Sequence, residues 1–258
     1  MGAKFIVDRR CPVKTSLTLT GLIEAIKHKG LLRRIGELAA AGTLPPAGAD
    51  LRLNMVLPPE AGVYGEMTIR DLQQQTALLL EHRVTCRQCP SSLNGHVGGC
   101  IAYVPYPISE GMEYLLWSTA LRGLQGDLPD ELLPAATAFA ARAQELRQTP
   151  FAEGMRSRGD LVGARPRVWQ SGPVWKRERL TSAQVLDAFF KNGVLAGEEL
   201  TTYAGFLGAA LAVARATEQV LQDESKRIAM VEDIEPYAMV HDLMLTALDQ
   251  GLGVYVWP

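Results

Sequence analysis

Four cysteines occur in this chain of 258 residues, and three of them share one short stretch. That stretch reads CRQCPSSLNGHVGGC and holds Cys86, Cys89 and Cys100, while Cys11 lies apart in DRRCPVK. A C-x2-C pair presents two thiolates from one turn, and a soft divalent ion then needs two further ligands to complete a tetrahedron. Cys100 supplies the third. Cys11, the last remaining cysteine and followed by Pro12 as Cys89 is by Pro90, is preferred as the fourth, with His96 as the alternative. Gly95, Gly98 and Gly99 give the intervening loop the freedom to fold back on itself. Zinc is the expected ion, because thiolates in tetrahedral geometry suit it, and four thiolates leave it no open position for catalysis. An iron–sulfur cluster uses the same ligand type and is the alternative cofactor, although the spacing departs from the usual ferredoxin runs.

A second set of residues is basic and aromatic. Between Met155 and Leu180 seven Lys or Arg side chains stand against two acids, with Trp169 and Trp175 among them. Arg165, Arg167, Lys176, Arg177 and Arg179 are the candidate contacts for a polyanion or a nucleotide, since guanidinium groups bind phosphate and indoles stack on bases. Against this stands a solvated arginine-rich connection, the more usual meaning of a charge run. From Thr181 onward eleven acids face four basic residues, so the segment has an intramolecular partner to hand.

His241-Asp242 resembles the metal-binding doublet of HD phosphohydrolases, but none of His28, His82 and His96 has a matching neighbour, which leaves His241 as a helix residue at the edge of the core. Glu232, Asp233 and Glu235 read as acids near a helix start, where the dipole favours them. The chain contains no phosphate-binding P-loop, nucleophile elbow, zincin helix or dinucleotide fingerprint. A binding or regulatory protein is therefore expected in preference to an enzyme. The rivals are a thiol redox or iron–sulfur sensor and a nucleic-acid or nucleotide binder.

Composition agrees with a globular chain: 47% hydrophobic, 21% charged, net charge −2. So small a charge exerts no global pull on nucleic acid or anionic lipid. MGAKFIVDRR is too charged for a signal peptide, and the longest apolar run, Gly205 to Ala214, is too short to span a bilayer. A cytoplasmic location is expected, with a protein partner or a polyanion and no membrane. In such a compartment clustered cysteines read as ligands more readily than as disulfides.

The elements that must position these residues follow from periodicity. Lys4–Val7 reads as a strand, Leu19–Ala41 as a glycine-weakened helix, and Asp50–Leu57 as an alternating strand. Thr68 with Asp71 opens a helix to about His82. IAYVPYPI, with Pro105 and Pro107, is an edge strand or an extended segment. Ser109 caps a helix to Leu121, and an alanine-rich helix follows over Asp130–Arg147. Phe151 to Leu180 reads as irregular. Helices resume over Thr181–Asn192, Glu198 to about Met230 and Glu232–Gln250, and Val254–Trp257 closes as a strand. The expected class is α+β, predominantly helical, with a few short strands near the N-terminal cysteine site. The expected partition is 1–150, a basic connection 151–180, and an acidic helical region 181–258, with packing as one compact unit as the alternative.

Overall fold

In the computed structural model, residues 2–43, 51–56, 64–147, 150–163, 165–172 and 178–258 are described. In chain order their elements are β1 (Gly2–Val7), α1 (Pro12–Ala40), β2 (Arg52–Val56), β3 (Tyr64–Thr68), α2 (Ile69–Glu81), α3 (Arg83–Arg87), β4 (Ile101–Pro105), α4 (Glu110–Gln125), α5 (Leu133–Glu145), α6 (Pro150–Arg158), β5 (Val168–Ser171), β6 (Glu178–Thr181), α7 (Ser182–Phe189), β7 (Gly193–Leu195), α8 (Gly197–Val220), α9 (Glu224–Asp249) and β8 (Val254–Trp257). The fold is α+β and mostly α. It divides into two compact units, Met1–Arg9 with Cys100–Pro258, and Arg10–Gly99.

The larger unit is organised by β1. Every residue of GAKFIV is buried, a pattern that a strand shows when both its neighbours and both its faces are covered. β1 pairs antiparallel with β4 on one side and β8 on the other, placing Phe5 opposite both Ala102 and Val256. The sheet order is β4-β1-β8-β7. β4 stands at an edge, as suits its terminal Pro105, because proline cannot donate to a ladder. This pairing explains why the chain is not partitioned sequentially: the first residues complete a sheet with the last.

Helices α4, α5, α7, α8 and α9 pack in the same unit. Its core is aromatic. Phe139 of α5 stacks on Phe206 of α8 with centroids 3.8 Å apart, and Phe189 meets Phe5, Phe190 and Phe206. Gly205 lets α5 come this close, since a Cβ there would lie 2.4 Å from the Ala135 side chain. Local chemistry agrees with the packing. Ser109 Oγ accepts the Met112 N–H to start α4, and Thr181 with Gln184 forms a reciprocal capping box at α7.

Phe151 to Leu180 departs from the irregular connection expected of it. Pro150 opens α6, which buries Ala152 and Met155, and β5 pairs with β6 as an antiparallel hairpin that sets Trp169 opposite Leu180. Arginine content hid both elements, because only a few of their residues, such as Ala152, Met155 and Leu180, are buried apolar positions that could reveal a period.

The smaller unit is built differently. Helix α1 packs on α2, and β2 pairs with β3. A capping box between Thr68 and Asp71 begins α2, as the sequence predicts. Helix α1 starts at Pro12, earlier than its apolar spacing indicates, but Thr18 interrupts it at φ 59°, ψ 167°. Thr18 Oγ1 accepts the Gly21 N–H, so the longer segment restarts with its own cap at the position where the periodicity begins.

Candidate functional site

Three of the four cysteines belong to the smaller unit, and local structure gathers them. Cys11 is the N-cap residue of α1, in extended conformation, with Pro12 in the first helical turn. Cys86 lies in α3, and Cys89 follows directly, its N–H bonded to the Cys86 carbonyl at 3.2 Å. Each of the three is half-buried and free of disulfide. Burial pushes the Cys86 thiol up from its ordinary value, and nearby Cys11 and Cys89 push it further. A hydrogen bond from the Gly98 N–H and the charge of Lys14 act in the opposite direction. Cys86 thus has both other thiols within electrostatic reach and a backbone donor on its sulfur.

The glycine-rich loop provides that donor. Gly98 adopts φ +82°, and a Cβ there would meet the Ile26 side chain of α1 at 2.3 Å. Only glycine lets the loop press this closely against α1 while turning its N–H toward Cys86. Within the same loop the Leu93 N–H reaches the Gly99 carbonyl at 3.0 Å. The fold-back expected of these glycines therefore forms. His96 is exposed, and its own backbone holds it: its N–H donates to Asn94 Oδ1 and its carbonyl accepts from Gly99.

Cys100 belongs to the other unit. It is half-buried immediately before β4, and its carbonyl accepts the Val7 N–H at 3.0 Å. Among the described residues no group of three or more His, Cys, Asp or Glu side chains is arranged to hold an ion.

Two neighbours escape motif reading. Lys14 sits one turn into α1 and lends positive charge to Cys86. His82, four residues before Cys86 on the same helical path, shares a 2.9 Å hydrogen bond with Ser16 Oγ and so ties α3 to the first segment of α1. The i, i+4 spacing of His82 and Cys86 was the available signal.

Three arginines of the basic segment, Arg156, Arg158 and Arg167, find carboxylate partners within their own unit. Arg156 donates to Glu113 and to Ser182 Oγ at 3.2 Å, and Ser182 Oγ donates to Glu113 Oε1 at 2.7 Å while accepting the Arg167 N–H at 2.9 Å. Glu113 is 2% exposed and Arg156 10%, so the pair is sealed from water. Arg158 pairs with Asp160, and Arg167 with Glu110 while lying 4.7 Å over the Tyr114 ring. The carboxylate partners come from α4 and the α6 exit, and not from the acids after Thr181. Of the candidate polyanion contacts, Arg165 and Arg179 are exposed, Arg167 is engaged as above, and Lys176 and Arg177 lie outside the described residues, as does Trp175. His241 packs against Gly208 of α8, its ring nitrogen 3.0 Å from where a Cβ would stand, which fits the edge-of-core reading.

Comparison of the chain with protein-family models, with curated proteins and with solved structures finds no match. No helix among the described residues is long and apolar enough to cross a membrane.

Proposed function

We propose that residues 10–99 form a zinc-stapled module whose role is binding or regulation and not catalysis. Cys11, Cys86 and Cys89, the three cysteines of this unit, are its ligands. The observation that carries this reading is the environment of Cys86, whose thiol accepts the Gly98 N–H and lies within electrostatic reach of Cys11 and Cys89. An N–H directed at a thiolate is the outer-shell contact that orients such ligands and tempers their charge.

A second observation gives the module a reason to need a metal. Between Arg10 and Gly99 the sequence contains one aromatic residue, Tyr64, and neither phenylalanine nor tryptophan. Its described buried apolar side chains are aliphatic, chiefly Val13, Leu22, Ile23, Ile35, Leu72 and Leu79. A small unit with so light a core gains stability from a metal or a cross-link. The polyanion reading has less behind it, since Arg156, Arg158 and Arg167 already have carboxylate partners.

Elemental analysis of the purified full chain tests the proposal. One zinc per chain, lost on substitution of Cys86 or Cys89, is the expected result. A chain that carries no zinc and takes up none after reduction and reconstitution would overturn it. A brown protein containing iron and sulfide would replace zinc with a cluster.

A further inference from the structure

The four-stranded sheet of the larger unit has two unlike faces. Antiparallel partners point their side chains to the same face, so the register sets two rows on one of them. Tyr103, Lys4 and Trp257 stand side by side in the first row, and Ile101, Ile6, Tyr255 and Val194 in the second. The opposite face, with Phe5, Ala102 and Val256, is fully buried and meets Phe189 and Phe190 through Phe5. On the first face only the centre is buried: Lys4 is 8% and Ile6 1% exposed, while Tyr103 and Val194 at the flanks are 44% and 48% exposed. Trp257 and Tyr255 are half-buried. Gly2 makes room for the Tyr103 ring, since a Cβ there would lie 2.9 Å from the ring edge. Lys4 Nζ lies 6.0 Å from the centre of the Trp257 ring. Exposed apolar and aromatic side chains gathered on one face mark a binding surface. We propose that this face docks a proline-rich peptide that carries a basic residue.

Spacing and charge select that occupant. Tyr103 and Trp257 stand on β4 and β8, either side of β1, so their strands lie about 10 Å apart. One turn of polyproline II rises about 9 Å, so prolines one turn apart reach the two rings when the peptide runs across the strands. Such a segment leaves its backbone carbonyls unpaired, and indole N–H and phenol O–H groups donate to them. It also arrives already extended, with little conformational freedom to lose. Charge argues against a polyanion. Acids outnumber bases in the larger unit, and the two rows contain one cation, Lys4. Asp8 is exposed immediately after β1, where its N–H reaches the Gly253 carbonyl at 2.8 Å, and its carboxylate attracts an Arg or Lys beside the prolines. The face belongs to the unit outside residues 10–99, so its occupant is recognised without the zinc proposed there.

The experiment titrates the full chain into fluorescein-labelled decaproline, with and without a terminal arginine, and reads anisotropy. A labelled Gly-Ser peptide of the same length is the blank. Saturable binding of decaproline, tightened by the arginine, is expected. Tyr103→Ala and Trp257→Ala should each weaken it about tenfold or more, as loss of a central aromatic contact does. Tyr114→Ala removes an exposed ring on α4 and should leave binding unchanged. If Trp257→Ala unfolds the sheet, as circular dichroism would reveal, the exposed Tyr103→Ala carries the test. Asp8→Asn should abolish the advantage of the arginine, and an advantage that persists overturns the charge pairing. Absence of binding, equal binding of the Gly-Ser peptide, or binding indifferent to both ring substitutions overturns the proposal. Oligothymidylate that binds where decaproline does not, and weakens in Tyr103→Ala, overturns it in favour of a platform for stacked bases. Self-association in sedimentation that is lost in Tyr103→Ala, with no peptide bound, overturns it in favour of an interface between copies.

Discussion

The two units spend their residues in opposite ways. Residues 10–99 hold three of the four cysteines and three of the four histidines but one aromatic side chain. The other unit holds the remaining aromatics, and buries Phe5, Phe139, Phe189, Phe190, Phe206 and Tyr203 almost completely. Each such ring removes a large apolar area from water, so that unit acquires stability from packing alone. It also affords a buried ion pair, Glu113 with Arg156, which a thinly packed unit would not tolerate. The smaller unit relies on caps, on a loop pressed against α1 through Gly98, and, in our proposal, on a metal.

Metal removal would break this contrast most severely. With zinc bound as proposed, a strong chelator or Cys89→Ser should cost residues 10–99 several kcal/mol, because metal-binding free energy is folding free energy where the site joins distant segments. Amide hydrogen exchange should rise across α1, α2 and α3 and stay slow in β1, α5 and α8. Uniform exchange before and after chelation would mean that the smaller unit stands without a staple.

The reverse experiment targets the larger unit. Glu113→Ala strands Arg156 in a site 10% exposed and removes the acceptor of the Ser182 hydroxyl. Breaking a buried pair from one side costs about 3–5 kcal/mol. A fall in thermal stability of that order, with zinc content unchanged, is expected. Ser182→Ala should cost about 1–3 kcal/mol through its unmet partners. A Glu113→Ala protein as stable as the parent would show that water reaches the pair.

Much of this architecture was legible in the sequence, for reasons that also mark where legibility stopped. The Thr68–Asp71 box, the Ser109 cap, the edge position of β4 and the closing strand are local chemistry, encoded within a few residues. The pairing of β1 with β8 is not local, and no periodicity reveals that residues 4–7 lie beside residues 254–257. Of the arginines expected at a surface, Arg167 has its carboxylate partner, Glu110, more than forty residues away in α4, as Arg156 has Glu113, so neither pairing is visible locally in the sequence. The cysteine spacing was visible at once. What it could not convey is that Cys11 and the C-x2-C pair share one unit while Cys100 opens the other.

A smaller effect sharpens the same contrast. Thr68→Ala removes the acceptor of the Asp71 N–H and one half of the capping box of α2. Loss of such a cap costs about 0.5–2 kcal/mol. In the smaller unit this is a large share of the stability expected without metal, so the substitution should lower the midpoint of the metal-free protein more visibly than that of the zinc-bound one. Denaturant titrations of both forms measure it, and equal shifts would argue that zinc and the α1–α2 pair are not coupled.

The smallest effect concerns His28 and is read from pH. His28 is buried on α1, and burial pushes its imidazole below the usual value, while a hydrogen bond with Gln75 and the charge of Glu24 pull the other way and Lys27 adds to the lowering. The folded state therefore favours the neutral ring, and between the folded value and the ordinary value of about 6.5 the unfolded chain binds more protons. The contribution of His28 is fully present above about pH 6.5, declines as pH falls through that window, and levels off below the folded value. Acid also protonates zinc ligands, so the wild-type slope alone does not isolate this group. The difference between wild type and His28→Gln does, since the ligand term is common to both. Hydrogen exchange in α1 and α2 should lose part of its pH dependence in His28→Gln and keep it in His241→Gln, whose depressed histidine lies on α9 of the other unit. Identical pH profiles for wild type and His28→Gln would show that the ring is hydrated in the folded protein, and that the α1–α2 core is thinner still than its aliphatic composition implies.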